Sequence, residues 1–153
     1  MATNNKQEYP RIGTAAFILN NNHQVLMMKR QGSHGAGTWA PPGGKLEMME
    51  SFFDCVKREV KEEAGLDILS MDIIGVTNDI GEETHYVTIH VLCKTSSIDA
   101  KIMEPEKCSE IDWFNLNNLP EPLFWTVKNL IALDPLCLCG GGKKLSECHG
   151  KKS

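Results

Sequence analysis

Short apolar runs punctuated by turn residues open the chain. "IGTAAFILN" (Ile12 to Asn20) predicts a strand and "QVLMMKR" (Gln24 to Arg30) its partner. "NNNH" between them predicts a turn, because Asn tolerates positive φ. "QGSHGAG" (Gln31 to Gly37) follows as a loop, and Trp39 to Leu46 reads as loop and short strand around Pro41, Pro42, Gly43 and Gly44. A helix is expected from Ser51, a good N-cap with Asp54 at the capping-box position, to Gly65, a good C′ residue. "LDILSMDIIGVTND", "THYVTIHVLCKT" and "SEIDWFNL" predict three more strands. "LPEPLFWTVKNLIAL" predicts a second helix, with Phe124, Val127, Leu130 and Ile131 at helical spacing. Strands mixed with two helices point to an α/β sandwich rather than a βαβ array. After Leu133 the apolar pattern gives way to Cys, Gly and Lys. The expected organisation is one domain over 1–134 and a tail over 135–153.

Length and charge narrow the reading. A chain of 153 residues suits one domain with a real core plus a small appendage. A net charge of −4 excludes a general nucleic-acid binder. "MATNNKQEYPRIG" lacks the apolar centre of a signal peptide, and no apolar run approaches the roughly 20 residues that span a membrane. A cytoplasmic location is therefore expected, and in it a disulfide framework is not. Cys55, Cys93 and Cys108 have apolar neighbours and read as buried thiols, whereas Cys137, Cys139 and Cys148 cluster in the tail.

The first helix brings three acids together. At 100° per residue, Glu59, Glu62 and Glu63 share a sector of roughly 100°. Such a cluster is either a solvated face, relieved by Lys57, Arg58 and Lys61, or a site for a hard cation that prefers oxygen ligands and bridges carboxylate to phosphate. A longer pattern bears on the choice through the resemblance it carries. Gly44, five residues, Glu50, seven residues, then Arg58, Glu59, Val60, Lys61, Glu62, Glu63, Ala64, Gly65 and Leu66 fit G-x5-E-x7-R-E-U-x-E-E-x-G-U without a departure. Seven fixed residues, each at a background of about 7%, coincide by chance about once in 10⁸ positions.

This pattern resembles the signature of the Nudix hydrolases, and the likeness runs roughly from Ile12 to Leu133. The resemblance implies a Nudix α/β/α sandwich with a mixed sheet, and hydrolysis of a nucleoside diphosphate linked to another group. It implies Mg²⁺ or Mn²⁺ held by Glu59, Glu62 and Glu63 with the Gly44 carbonyl, Arg58 orienting the glutamates, and Glu50 ligating through water or supporting the loop. The general base varies in the family; Glu62 and Glu63 come first here, with Glu59 open. Glu106, ahead of Glu104, is the loop acid that could add a ligand, with a plain surface acid the competing reading. "HYVTIHV", "MEPEKC", "IDWFNLNNLP" and "PLFW" resemble the members that cleave nucleoside triphosphates, including oxidised purine nucleotides, to monophosphate and pyrophosphate. Arg30 is the candidate phosphate contact. Trp39, Tyr86, Phe124 and Trp125 are candidates for a stacking pocket, with core packing the competing reading of each. Isoprenyl diphosphate or ADP-ribose as substrate, and a nucleotide-sensing module without turnover, stay open; the complete set of glutamates favours an enzyme.

In the tail, Cys137, Cys139, Cys148 and His149 form C-x-C-x8-C-H with glycines between. Four such ligands suit tetrahedral zinc with no position left open, and so a structural site. The tail resembles the SEC-C zinc motif, with Leu145 where an aromatic is usual. It is expected to be separable from the chemistry. Lys143, Lys144, Lys151 and Lys152 make it locally basic, a docking surface for an acidic protein or RNA. A homodimer is also compatible with the chain.

Overall fold

The computed structural model describes residues 8–32 and 34–150. Strand β1 (Arg11–Leu19) organises the rest. On one side it runs parallel to β6 (His85–Lys94), in register from Arg11 opposite Tyr86 to Leu19 opposite Lys94. Its other side is shared. Gly13 to Ala15 pair antiparallel with β4 (Gly43–Lys45), and Leu19 pairs with Val25 of β2 (Gln24–Arg30). β2 in turn carries β3 (Trp39–Ala40) and β7 (Cys108–Asn115), both antiparallel. β5 (Ser70–Ile80) lies antiparallel on β6. The result is one mixed sheet.

Period-two alternation sorts β1 and β2 between two cores. Ala16, Ile18 and Leu26 face one way and pack with Ile89, Val91 and Cys93 against Val56, Val60 and Ala64 of helix α1 (Phe52–Ala64). Ala15, Phe17, Leu19, Val25 and Met27 face the other way and meet Val127 and Leu130 of α2 (Trp125–Ala132). A helix therefore covers each face, which is the expected α/β/α sandwich. Cys55, Cys93 and Cys108 are buried as expected. Among the described residues no helix is long and apolar enough to cross a membrane.

The ends of α1 follow the sequence. The Ser51 hydroxyl accepts from the Asp54 N–H at 3.1 Å, and Gly65, at φ 70°, closes the helix onto the Lys61 carbonyl. The second helix is shorter than its apolar pattern. It starts at Trp125, while Leu119 and Leu123 pack on the core from the preceding loop. β5 also starts late, because Leu66 inserts between α1 and the sheet before the strand begins.

Trp39 and the tail both pack against the α2-side core. The indole of Trp39 is buried, 5.1 Å from the Phe114 ring and edge-on to it at 73°. It packs in the core, and Lys29 Nζ lies over its ring, 5.8 Å from the centroid. The tail begins where composition changes, yet it is not detached. The Leu145 N–H donates to the Pro135 carbonyl, and the Ser146 hydroxyl and N–H donate to the Asp134 carboxylate. Cys137 belongs to the α2-side core, with Leu138 and Leu145 packed on it. A cavity of about 390 Å³ lies between tail, α2 and sheet, lined by Phe17, Met27, Val127, Leu130, Leu138 and Leu145 among others.

Close approach explains Gly43. A Cβ there would lie 2.0 Å from the Thr14 carbonyl oxygen across the β1–β4 ladder. Gly43→Ala is expected to lower unfolding free energy by about 2 kcal/mol or more, read by denaturant titration.

Candidate active site and metal centre

The loop after β4 and the C-terminal half of α1 meet around one guanidinium. Arg58 Nε donates to Glu50 Oε1 at 2.7 Å and Nη2 to Glu50 Oε2 at 3.0 Å, a bidentate fork. Nη1 donates to Glu59 Oε1 at 2.7 Å and reaches Glu62 Oε2 at 3.5 Å. Nη2 also donates to the Lys45 carbonyl at 3.1 Å. The Glu47 N–H adds a bond to Glu50 at 3.0 Å. Both oxygens of Glu50 are thus engaged in holding loop and arginine. The Lys45 carbonyl and the Glu47 N–H escaped the sequence reading because backbone groups are present at every residue.

Gly44 lets Glu59 lie against the backbone, since a Cβ at 44 would come within 2.3 Å of the Glu59 carboxyl carbon. Glu63 sits beside Glu59 and accepts the Gly43 N–H. The charges respond as this geometry requires. The Arg58 guanidinium and the Glu47 N–H hold the Glu50 carboxyl down to about 2. The carboxylates push Arg58 above its ordinary value. Burial, then the neighbouring Glu59, push Glu63 up to about 9, and Glu104 adds to this. Glu104, bonded to Lys107 at 3.0 Å, is the loop acid whose charge reaches Glu63. Glu106, the expected candidate, is exposed. Crowded carboxylates form the donor set that Mg²⁺ or Mn²⁺ takes, and a divalent charge would oppose the burial and repulsion that raise the Glu63 pKa.

Next to the acids lies an aromatic wall. Arg30 is partly buried at the end of β2, and its Nε donates to the His34 carbonyl at 2.8 Å. Its guanidinium carbon lies 4.1 Å from the centroid of the Phe124 ring. Phe124 and Trp125 stack with centroids 4.1 Å apart. Burial lowers the Arg30 pKa, opposed by the charges of Glu63 and Tyr86. Arg30, Phe124 and Trp125 thus form one cluster, and Arg30 feels the charges of Glu63 and Tyr86, while the Phe124 N–H donates to the Trp39 carbonyl at 2.9 Å.

The tail forms the second centre. Cys137 Sγ and Cys148 Sγ lie 3.3 and 3.2 Å from His149 Nδ1, and Cys139 Sγ lies 3.6 Å from Cys148 Sγ. All four ligand atoms fall within 4.8 Å of one another. The edge of a tetrahedron with metal–sulfur bonds of about 2.3 Å is about 3.8 Å, so the set fits one ion. The Gly141 N–H donates to Cys139 Sγ at 3.3 Å and lowers the pKa of that thiol.

Comparison with known proteins agrees with this architecture. The family model of the NUDIX domain matches residues 9–133. The chain belongs to the NUDIX family. The ADP-ribose pyrophosphatase of Methanocaldococcus jannaschii is similar to it, 29% identical over 107 residues, covering 70% of this chain and 63% of the relative. The oxidized purine nucleoside triphosphate hydrolase of Mus musculus is 29% identical over 118 residues, covering 75% and 72%. Among solved structures, the MutT NUDIX hydrolase from Burkholderia pseudomallei superposes with a TM-score of 0.76 at 30% identity, covering 82% of this chain and 98% of that one. The chain thus spans less than two thirds of the length of the first of these relatives.

The shift on Glu63 carries a sign. A carboxyl raised from 4.5 to about 9 on folding stabilises the metal-free protein fully below its unfolded value, and that contribution is lost as pH rises through about 9. With no Mg²⁺ added, the melting temperature should fall over about pH 5 to 9, and added Mg²⁺ should offset the fall. Glu63→Gln should flatten this slope, as measured by thermal unfolding across pH.

Proposed function

We propose that this NUDIX chain is a Mg²⁺-dependent, cytoplasmic hydrolase that cleaves nucleoside triphosphates, oxidised purine nucleotides among them, to the monophosphate and pyrophosphate. The observation that carries the reading is the Arg58 fork with Glu50, Glu59 and Glu62, set beside an arginine and two stacked aromatics. The name of the Mus musculus relative supports this substrate class. That of the Methanocaldococcus jannaschii relative supports ADP-ribose as the second reading.

Glu59, Glu63 and the Gly44 carbonyl would hold the cation, with Glu104 the loop acid nearest to join them. The cation supplies charge neutralisation of the diphosphate and acidifies the attacking water. Glu62 is 53% exposed and touches Arg58 only at 3.5 Å, so its oxygens reach the solvent side of the helix. It is positioned to take the proton, with Glu63 the alternative. Glu50 and Arg58 keep the glutamates in place. Arg30 would bind a phosphate, and Phe124, Trp125 and Tyr86 would enclose the base. In the tail, three thiolates and one imidazole favour zinc, as carboxylates favour Mg²⁺. The exposed Lys143 and Lys144 leave the tail open to an acidic partner.

Glu62→Gln and Glu63→Gln should each lower kcat by about 10² with the fold intact. Product analysis should find monophosphate and pyrophosphate; orthophosphate with a nucleoside diphosphate, or a preference for ADP-ribose, would contradict the substrate assignment. Purified protein should carry about one zinc per chain. Because the tail packs on the α2-side core, removing that zinc with a thiol-competing chelator should lower the melting temperature by about 4 °C or more.

A further inference from the structure

Below the aromatic wall lies a polar network that the proposed chemistry does not use. Asp79, on β5, is 1% exposed. Its Oδ2 accepts from the hydroxyls of Thr77, Thr88 and Thr126 at 3.0, 2.5 and 3.2 Å. Its Oδ1 accepts from Asn129 Nδ2 at 2.7 Å. The Thr77 hydroxyl, already donating to Asp79, can only accept from His90 Nε2 at 2.8 Å. His90 is fully buried, and burial lowers its pKa to about 4, which matches a neutral ring with its proton on Nε2. Three elements, β5, β6 and α2, thus converge on one carboxylate.

We infer that Asp79 is a positioning residue for substrate binding: by fixing Thr126 and Asn129 it sets where α2 starts and so where the Phe124–Trp125 pair stands. Among the described residues, every side-chain hydrogen bond that ties α2 to the sheet ends on Asp79. The helix has no side-chain N-cap, and its apolar contacts through Val127 and Leu130 are compatible with small rotations and slides. Hydrogen bonds of fixed length are not. Thr126 adjoins Trp125 in the chain, so its bond to Asp79 holds the indole next to Phe124, over whose ring Arg30 lies. Apolar residues of similar volume would stabilise the core as well as this buried network, so a role in fixing one register explains it better than stability does. The inference rests on the proposal that the aromatic pair receives the base.

The pairing pattern supplies its own test. Asp79→Asn can place its oxygen towards the three threonines, but its amide then faces the amide of Asn129, donor against donor. The exchange Asp79→Asn with Asn129→Asp restores a donor and an acceptor with the partners reversed. With the nucleoside triphosphate that the wild type turns over, Asp79→Asn should raise KM about tenfold and change kcat less than about twofold. Backbone amides of α2 should exchange hydrogen faster in the single variant. The exchanged pair should recover both the wild-type KM and the exchange rates. Unchanged KM and α2 protection in Asp79→Asn would overturn the inference, and so would a raised KM that the exchanged pair fails to lower. If Asp79→Asn does not fold, Thr126→Val should raise KM and Thr126→Ser should restore it; equal KM values for the two would overturn the inference. Trp125→Leu separates this inference from the reading beneath it. Should Trp125→Leu leave KM unchanged while α2 protection still falls in Asp79→Asn and recovers in the exchanged pair, the base pocket is misplaced and the pin stands.

Discussion

Arg58 donates to Glu50, Glu59, Glu62 and the Lys45 carbonyl at once, and this fork holds a loop acid and two helix acids together. Without it, like charges at helical spacing would push the side chains apart and weaken the last turns of α1. A planar guanidinium suits the task because its donors point in fixed directions and it stays charged at any working pH. One arm anchors the loop after β4 through Glu50; the other aligns Glu59 towards Gly44 and Glu63. The geometry of the proposed metal site follows from that division.

The sheet explains why this arrangement is held firmly. β4 is only three residues long, but it pairs with β1, the strand that also carries β6. Gly43 and Gly44 let β1 and Glu59 come closer than any side chain would allow. Loop, strand and helix are therefore tied to the same central strand, and the carboxylates inherit its rigidity. The opposite face is assembled differently. There α2 is short and lacks a side-chain cap, and it is held by apolar packing, the Asp79 network and the tail.

Much of this was legible in the residues. The run from Gly44 to Leu66 announced both the helix and the acids, because each fixed residue has a separate physical task and the spacing is long. Strand order was not legible, since β1 pairs with β6 across a wide sequence gap. Trp39 could be read as pocket or core, and only the Phe114 contact decides for core. Choosing Glu104 over Glu106 depends on the direction of a loop that has no periodicity. The Asp79 network left a faint signal, polar residues at every second position in Thr77–Asp79 and Thr88–His90. Such a pattern also describes a solvated strand face, and only the docking of α2 turns it inward. The tail was visible as a ligand set but not as part of the core, because its two apolar anchors, Leu138 and Leu145, are isolated in a polar segment.

The central claim is that Glu59 and Glu63, ordered by Arg58, bind a divalent cation. Electron paramagnetic resonance of Mn²⁺ titrated into the full chain measures this directly, because bound and free Mn²⁺ give distinct signals and the thiolate-rich tail prefers zinc. The account predicts saturable binding in the wild type. It predicts loss of about tenfold or more in affinity for Glu59→Gln combined with Glu63→Gln, and little change for Glu106→Gln. Wild-type affinity in the doubly substituted protein, with its fold intact, would contradict the account.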